Sequence, residues 1–251
     1  MCGRLKENKV KISLIIPMYN EESIINEAIA VFSRYMKENF ADWELIFVDD
    51  GSADGCGEAV RAVCNDNIKL ISYKPNRGKG YAVRTGMLAA SGDIAVFTDC
   101  DNAYGTDVIS KIYKMFESSD ADIIVGSRNL DKSGYDGYTF LRRVASKSYI
   151  RFINLVAGFS KYRLSDSQCG FKGFRAAAAK KIFSNCEVDR FAFDLEVIML
   201  AGKCGYTFDQ MPVKIINHRE SKVHVLRDAV RMIGDVRRMK KRIKKLNINA
   251  E

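Results

Sequence analysis

Four short polar clusters each close an apolar run in the first half of the chain: Pro17-Met18-Tyr19-Asn20-Glu21, Asp49-Asp50-Gly51-Ser52, Asn76-Arg77-Gly78-Lys79-Gly80 and Asp99-Cys100-Asp101. The last has the plainest chemistry. Two carboxylates spaced i, i+2 at a strand end can turn toward one cation through a local bend. Mg²⁺ and Mn²⁺ prefer hard oxygen ligands, often one or two carboxylates completed by substrate phosphates. Such a metal would offset the charge that grows on a departing diphosphate. The plainer alternative is a pair of solvated turn carboxylates, because the spacing is common. In the other clusters, Asp50 could hydrogen-bond a base or ribose, or cap the next helix. Tyr19 could stack on a nucleobase while Asn20 only caps a helix. The glycine-flanked basic loop around Lys79 suits a phosphate or ribose, although it lacks the Walker spacing.

The elements that must position these residues alternate. Apolar runs predict strands at Ile12–Pro17, Glu44–Val48, Ile68–Tyr73, Ile94–Thr98 and Ala121–Gly126. Helical spacing predicts helices at Glu21–Asn39, with Ile24, Ala28, Val31, Phe32 and Tyr35 on one side, and at Gly57–Asn65, Gly80–Ala90 and Asp107–Ser118. This rhythm implies an α/β fold, a mostly parallel sheet flanked by helices on both faces. Ligands of such sheets bind at the carboxyl ends of the strands. The polar clusters fall there, as does Gly126-Ser127-Arg128 after the fifth strand.

The second half reads differently. Leu141–Phe159 is a long helix with Arg143, Lys147 and Arg151 stacked at four-residue spacing and Leu141, Ala145, Tyr149, Phe152 and Val156 on its apolar side. A second basic helix runs from about Val223 to Leu246. Between them lie a polar loop at Ser165–Phe171, helices near Ala176–Phe183 and Phe193–Cys204, and a strand near Gln210–Ile216. Residues 1–126 carry 14 Lys/Arg against 19 Asp/Glu, a net of −5, whereas the remainder carries 26 against 12, a net of +14. The second half therefore faces something anionic: a phosphorylated ligand, acidic lipid headgroups or nucleic acid. Seven cysteines without a paired spacing, and no secretory pattern at the start, fit a reducing, cytoplasmic setting.

PMYNE, VDDGS, NRGKG and TDCD, in this order and each at a strand end, resemble the inverting family 2 glycosyltransferases of the GT-A fold. GSR (Gly126–Arg128), DSQCGFK (Asp166–Lys172), RFAFDLEV (Arg190–Val197) and Ser221-Lys222 continue the likeness from about Lys11 to Asp235. These later motifs are similar to the branch of dolichyl-phosphate glucosyltransferases and their bacterial polyprenyl-phosphate relatives. The resemblance implies a nucleotide-sugar-binding fold with basic amphipathic helices in its C-terminal half. It implies that Pro17, Tyr19, Glu21, Val48 and Asp50 hold the nucleoside, with Lys79 approaching it. Asp99 and Asp101 would bind Mg²⁺ or Mn²⁺, with the Cys100 backbone near the diphosphate. Arg128 and Lys222 would contact donor or acceptor phosphate. Related mannosyltransferases carry a glutamine as a further metal ligand where this chain has Ala103, leaving a water or Asn102 in its place. They also carry an arginine where this chain has Ile216, leaving Arg219 as the candidate for that charge.

Two mechanisms follow from the kind of acceptor. A sugar hydroxyl needs a general base, for which Asp166, Asp194 and Glu196 are candidates; their plainer role is to hold loops, and Asp194 could cap a helix. A lipid phosphate is already anionic and needs cations to position it and offset repulsion from the donor. The expected catalytic set is Asp101, Arg128, Asp166 and Asp194. The leading expectation is hexose transfer, glucose from UDP-glucose, to a polyprenyl or dolichyl phosphate. The alternatives are transfer to a saccharide hydroxyl and, more remotely, an anion- or nucleic-acid-binding module, which would leave the acidic clusters without a purpose. Residues 1–251 are expected to form a single domain, with a nucleotide-binding half at about 11–126 and an acceptor-facing half at about 127–246. The basic helices could lie against an anionic membrane surface, or a membrane partner could recruit the protein. Either would leave it peripheral on the cytoplasmic face.

Overall fold

A computed structural model of the chain describes residues 10–135, 140–162, 164–190, 192–217 and 225–248. Lys222 and Arg219 lie outside the described residues. The first half runs β1 (Ile12–Met18), α1 (Glu22–Asn39), β2 (Trp43–Asp49), α2 (Cys56–Arg61), β3 (Ile68–Ser72), α3 (Lys79–Ala89), β4 (Ile94–Phe97), α4 (Asp107–Ser118) and β5 (Ile123–Ser127). The second runs α5 (Phe140–Ala157), a 3₁₀ turn (Phe159–Tyr162), β6 (Lys172–Arg175), α6 (Ala176–Phe183), α7 (Phe193–Lys203), β7 (Phe208–Pro212) and α8 (Val225–Lys245). Seven strands form one sheet in the order β3-β2-β1-β4-β6-β5-β7. All neighbours are parallel except β6, which runs antiparallel to both β4 and β5. The mostly parallel α/β sheet is therefore the one expected.

Strand alternation sends successive side chains to two cores. Leu14, Ile16, Leu45, Phe47, Val96 and Ile124 face one side with the buried stripes of α1 and α4; Ile15, Ile46, Val48, Phe97 and Val125 face the other with α3, α6 and α7. Strands buried on both faces read as continuous apolar runs, which is why β1, β2 and β4 were recognisable. Three details differ from the sequence reading. The buried stripe of α1 is Ile25, Ala28, Ile29, Phe32 and Met36, leaving Ile24 and Val31 to line a cleft beside Asp101. Helix α2 stops at Arg61 because the Asn65 side chain accepts from Asn67 N (2.9 Å) and Ile68 N (3.0 Å), turning the chain into β3. Strand β7 ends at Pro212, and the residues after it leave the sheet edge.

Both basic helices exist. The apolar stripe of α8, Val236, Met239 and Ile243, is buried in the core with residues of α7, while Arg237, Arg238, Lys240, Lys241, Lys244 and Lys245 are exposed. This part of α8 therefore keeps its apolar side inside the protein, not in a headgroup layer. On α5, Ile150 and Ala157 are buried, whereas Phe152 (45% exposed) and Leu155 (72%) face outward beside Lys147 and Arg151. Among the described residues no helix is long and apolar enough to cross a membrane.

Candidate active site

Every polar cluster of the first half emerges at the same edge of the sheet, at the carboxyl ends of parallel strands. The clusters after β1 and β2 are tied together: Asn20 N donates to Ser52 Oγ (3.0 Å), and Asn20 Oδ1 accepts from Ala53 N (2.9 Å). Asn20 has φ +53°, a left-handed conformation that asparagine tolerates better than most residues. It is thus a link between two loops and not a helix cap, since α1 begins after Glu21 without a side-chain cap. Tyr19 is exposed (44%), whereas Pro17 and Val48 are buried partners in the β1–β2 register. Glu21 is half-buried.

Asp50 is buried, and its carboxylate organises the loop that follows β3. Oδ1 accepts from Tyr73 Oη (2.9 Å) and Arg77 N (2.8 Å), and Oδ2 accepts from Asn76 Nδ2 (2.7 Å) and Gly78 N (2.8 Å). Gly78 sits at φ +110°, where a Cβ would also approach Asp189 O to 2.6 Å. The loop delivers Lys79 to the start of α3, and Lys79 Nζ pairs with Asp99 Oδ1, both side chains being roughly one-quarter exposed. Burial alone would lower the Lys79 pKa, but the charge of Asp99, with Asp194 and Asp101 behind it, raises it above its ordinary value.

After β4 the chain turns sharply. Asn102 N donates to Asp99 O (3.3 Å), Ala103 N donates to Asp101 Oδ1 (3.1 Å), and Asn102 adopts φ +49°. Cys100 is buried between the two aspartates, and burial pushes its thiol pKa far up, with Glu21 and Asp101 adding to the shift. It is therefore protonated near neutral pH and presents no thiolate to the site. Gly170 approaches Asp99 so closely that a Cβ there would stand 2.4 Å from Asp99 Oδ2.

The second half closes over this edge. Asp166 is fully buried and accepts from Arg128 Nε (2.7 Å), Arg128 Nη2 (3.0 Å), Arg128 N (3.2 Å) and Gln168 N (3.3 Å). Its two oxygens are taken up by this bidentate ion pair, so the base role entertained for it gives way to holding Arg128. Glu196 is likewise buried, accepting from Glu187 N (2.9 Å), Val188 N (2.8 Å) and Arg242. It anchors α8, and its candidacy as a base lapses for the same reason. Asp194 stands in the first turn of α7 without capping it. It pairs with the fully buried Lys172, which also donates to Cys169 O (2.6 Å). Burial raises the Asp194 pKa, opposed by the charges of Lys172 and Lys79, and Asp99 raises it further. Around the buried Tyr135 ring gather Lys147 Nζ (5.3 Å), Arg128 Cζ (5.6 Å) and Arg143 Cζ (6.0 Å).

The profile of "Glycosyl transferase family 2" matches residues 13–183. This chain belongs to that family. A dolichyl-phosphate β-glucosyltransferase of Dictyostelium discoideum is 30% identical to it over 94% of this chain and 77% of its own length. The Saccharomyces cerevisiae protein of the same name is 30% identical over 92% of this chain and 74% of its own. Among solved structures, glucosyl-3-phosphoglycerate synthase from Mycobacterium tuberculosis, in complex with Mn²⁺, UDP and glucosyl-3-phosphoglycerate, superposes with a TM-score of 0.68 at 18% identity. That likeness covers 94% of this chain and 80% of the other and carries the fold.

In this family 2 glycosyltransferase the donor chemistry of the site fits a hard divalent cation. Asp99 and Asp101 present carboxylates from one turn, and only glycine at position 170 leaves the Asp99 oxygen its room. Among the described residues no three His, Cys, Asp or Glu side chains converge on one point. Among the described residues the candidates for a coordination shell would thus be these two aspartates, beside phosphate and water. The sequence alone assigned no individual role to Tyr73, Asn76, Lys172 or Tyr135. Lys172 lies inside a quoted motif, but its partner Asp194 is 22 residues away, and nothing local reveals that pairing.

Proposed function

We propose that this family 2 glycosyltransferase transfers glucose from UDP-glucose to a polyprenyl or dolichyl phosphate, with inversion, as a peripheral protein on the cytoplasmic face of a membrane. The observation that carries the reading is the gathering of Arg128, at the carboxyl end of β5, with Arg143 and Lys147 about Tyr135. Cations in that position suit an acceptor that is itself a phosphate. The names of the relatives, dolichyl-phosphate β-glucosyltransferases, support the same acceptor. The solved complex of the mycobacterial synthase with Mn²⁺ and UDP-glucose supports the donor and the metal.

In this reading Pro17, Tyr19, Glu21 and Val48 line the nucleoside side, and Asp50 contributes by fixing the turn that carries Lys79. Asp99 and Asp101 hold Mn²⁺ or Mg²⁺, which when bound offsets the charge of the departing UDP. Lys79, already paired with Asp99, adds a positive charge to the diphosphate end. Arg128, held rigid by Asp166, and Lys222 receive donor or acceptor phosphate. The incoming phosphate oxygen needs no base, so positioning and charge supply the rate. Residues 11–126 act as the donor half and 127–246 as the acceptor half of one domain.

The test is a radiolabelled transfer assay with UDP-glucose, Mn²⁺ and polyprenyl phosphate. Label in a butanol-extractable lipid is the expected result, and none with any common donor sinks the lipid acceptor. A saccharide hydroxyl acceptor is the second reading, favoured by Asp194, whose Oδ1 takes the Lys172 contact and whose side chain is 11% exposed, whereas those of Asp166 and Glu196 are wholly buried. There, Asp194→Asn would abolish transfer to a sugar while sparing donor hydrolysis.

A further inference from the structure

The segment after β7 does something the motifs do not account for. Strand β7 lies at the sheet edge, separated from β4 by β6 and β5. Val213 N donates to Ser127 O (3.1 Å) at the end of β5, and three residues later Ile216 N donates to Ala103 O (2.8 Å) in the turn after β4. In that short step the chain crosses from the Arg128 loop to the Asp101 loop. Asn217 then extends the contact: its side-chain amide donates to Asp101 O (3.0 Å) and Asn102 O (3.4 Å). Three successive carbonyls of the turn, at residues 101, 102 and 103, are thus held from one side by Ile216 and Asn217.

The turn is built from residues that suit it and is then held from outside. Asn102 (φ +49°) and Gly105 (φ +75°) both sit in the left-handed region, which asparagine and glycine adopt more readily than other residues. Ile216 packs over Gly105, where a Cβ would come within 3.0 Å of its Cδ1. The Asp101 carboxylate takes its aim from the same backbone, because its Oδ1 accepts from Ala103 N (3.1 Å) while Ala103 O is bonded to Ile216. Moving the strap therefore moves the carboxylate. Position 103 is alanine and offers no polar side chain to hold the turn.

We propose that Asn217 is a positioning residue for the divalent-cation site: it locks the Asp101 turn and makes cation–nucleoside diphosphate affinity depend on the residues that follow β7, from Val213 to Asn217. The proposal rests on the reading of Asp99 and Asp101 as metal ligands. A ligand-orienting partner of this kind typically changes metal affinity tenfold or more when removed.

The experiment uses the full chain with Asn217→Ala and Asn217→Leu, the second filling a similar volume without a donor. Free Mn²⁺ is measured by electron paramagnetic resonance during titration in the presence of UDP, and the melting midpoint is recorded without ligands. Both variants are expected to bind Mn²⁺ about tenfold more weakly, with the ligand-free midpoint close to wild type. Wild-type Mn²⁺ affinity in either variant overturns the proposal. So does a weakened affinity that merely parallels a lowered midpoint and recovers on cooling, since that is what a general packing role gives. If the wild-type protein itself binds no Mn²⁺ with UDP, the metal assignment of Asp99 and Asp101 fails first and takes this inference with it.

Discussion

Replacing Asp166 with asparagine separates a structural ion pair from a catalytic base. Asp166 is 0% exposed and the Arg128 side chain 12%, with two parallel guanidinium contacts at 2.7 and 3.0 Å. The amide keeps one oxygen for Arg128 but turns an N–H group toward the second guanidinium contact and leaves the buried positive charge without its counterion. Breaking a buried pair from one side costs about 3–5 kcal/mol. For a chain of this size each kcal/mol lowers the melting midpoint by roughly 2–4 °C. The expected fall is therefore about 6–20 °C, readable by thermal melting and urea titration. Transfer should fall as well, because Arg128 loses its aim. Substituting both partners, Arg128→Met with Asp166→Leu, should recover much of the lost stability, since a well-packed apolar pair often replaces a buried ion pair at little cost. That double variant should remain inactive. A base role predicts the opposite pattern: unchanged midpoint, donor hydrolysis intact, transfer abolished. Observing it for Asp166→Asn would refute the argument from geometry.

Three further perturbations test other parts of the structure. Gly170→Ala places a methyl 2.4 Å from Asp99 Oδ2, so the carboxylate must turn away; Mn²⁺ affinity with UDP should fall about tenfold, whereas the ligand-free midpoint should move little. Glu44, far from the site at the start of β2, is held by Ser13 Oγ, Lys69 Nζ and Ser91, and although burial opposes it these partners lower its pKa to about 2. A depressed carboxylate stabilises the fold above its unfolded pKa and loses that contribution as pH falls through the folded value. Glu44→Gln should thus cost about 3 kcal/mol at pH 7, a difference that shrinks between pH 4.5 and 2, and equal urea midpoints at pH 7 would contradict it. Arg242→Ala leaves the buried Glu196 without its cation; a loss of about 3 kcal/mol and faster amide exchange along α8 are expected, and unchanged exchange would show that the pair does not anchor the helix.

What the sequence revealed and what it hid divide along one physical line. Parallel strands buried on both faces are apolar runs, and their ligand-binding loops follow within a few residues, so β1, β2, β4 and their polar clusters could be read in order. Strand β6 could not: it is four residues long, opens with a lysine, and is stable there because Asp194 neutralises that lysine from another element. The amphipathic pattern of α8 was legible, but Val236, Met239 and Ile243 would suit a headgroup layer as well as a protein core, and only tertiary contacts decide. The carboxylates show the same limit. Their types are visible, whereas the cations that hold them lie far off in sequence, Arg128 for Asp166, Lys172 for Asp194 and Arg242 for Glu196. In those three pairs the carboxylate is buried, and separating any of them strands its charge in a low-dielectric interior. The Lys79–Asp99 pair differs, with side chains 27% and 29% exposed. Water reaches both partners, so exchanging each for a ligand is far less costly than breaking the pairs behind it. The Lys79–Asp99 pair can thus part while the pairs behind it stay in place, which under the proposed function is what admitting a metal and a diphosphate without loosening the fold would require.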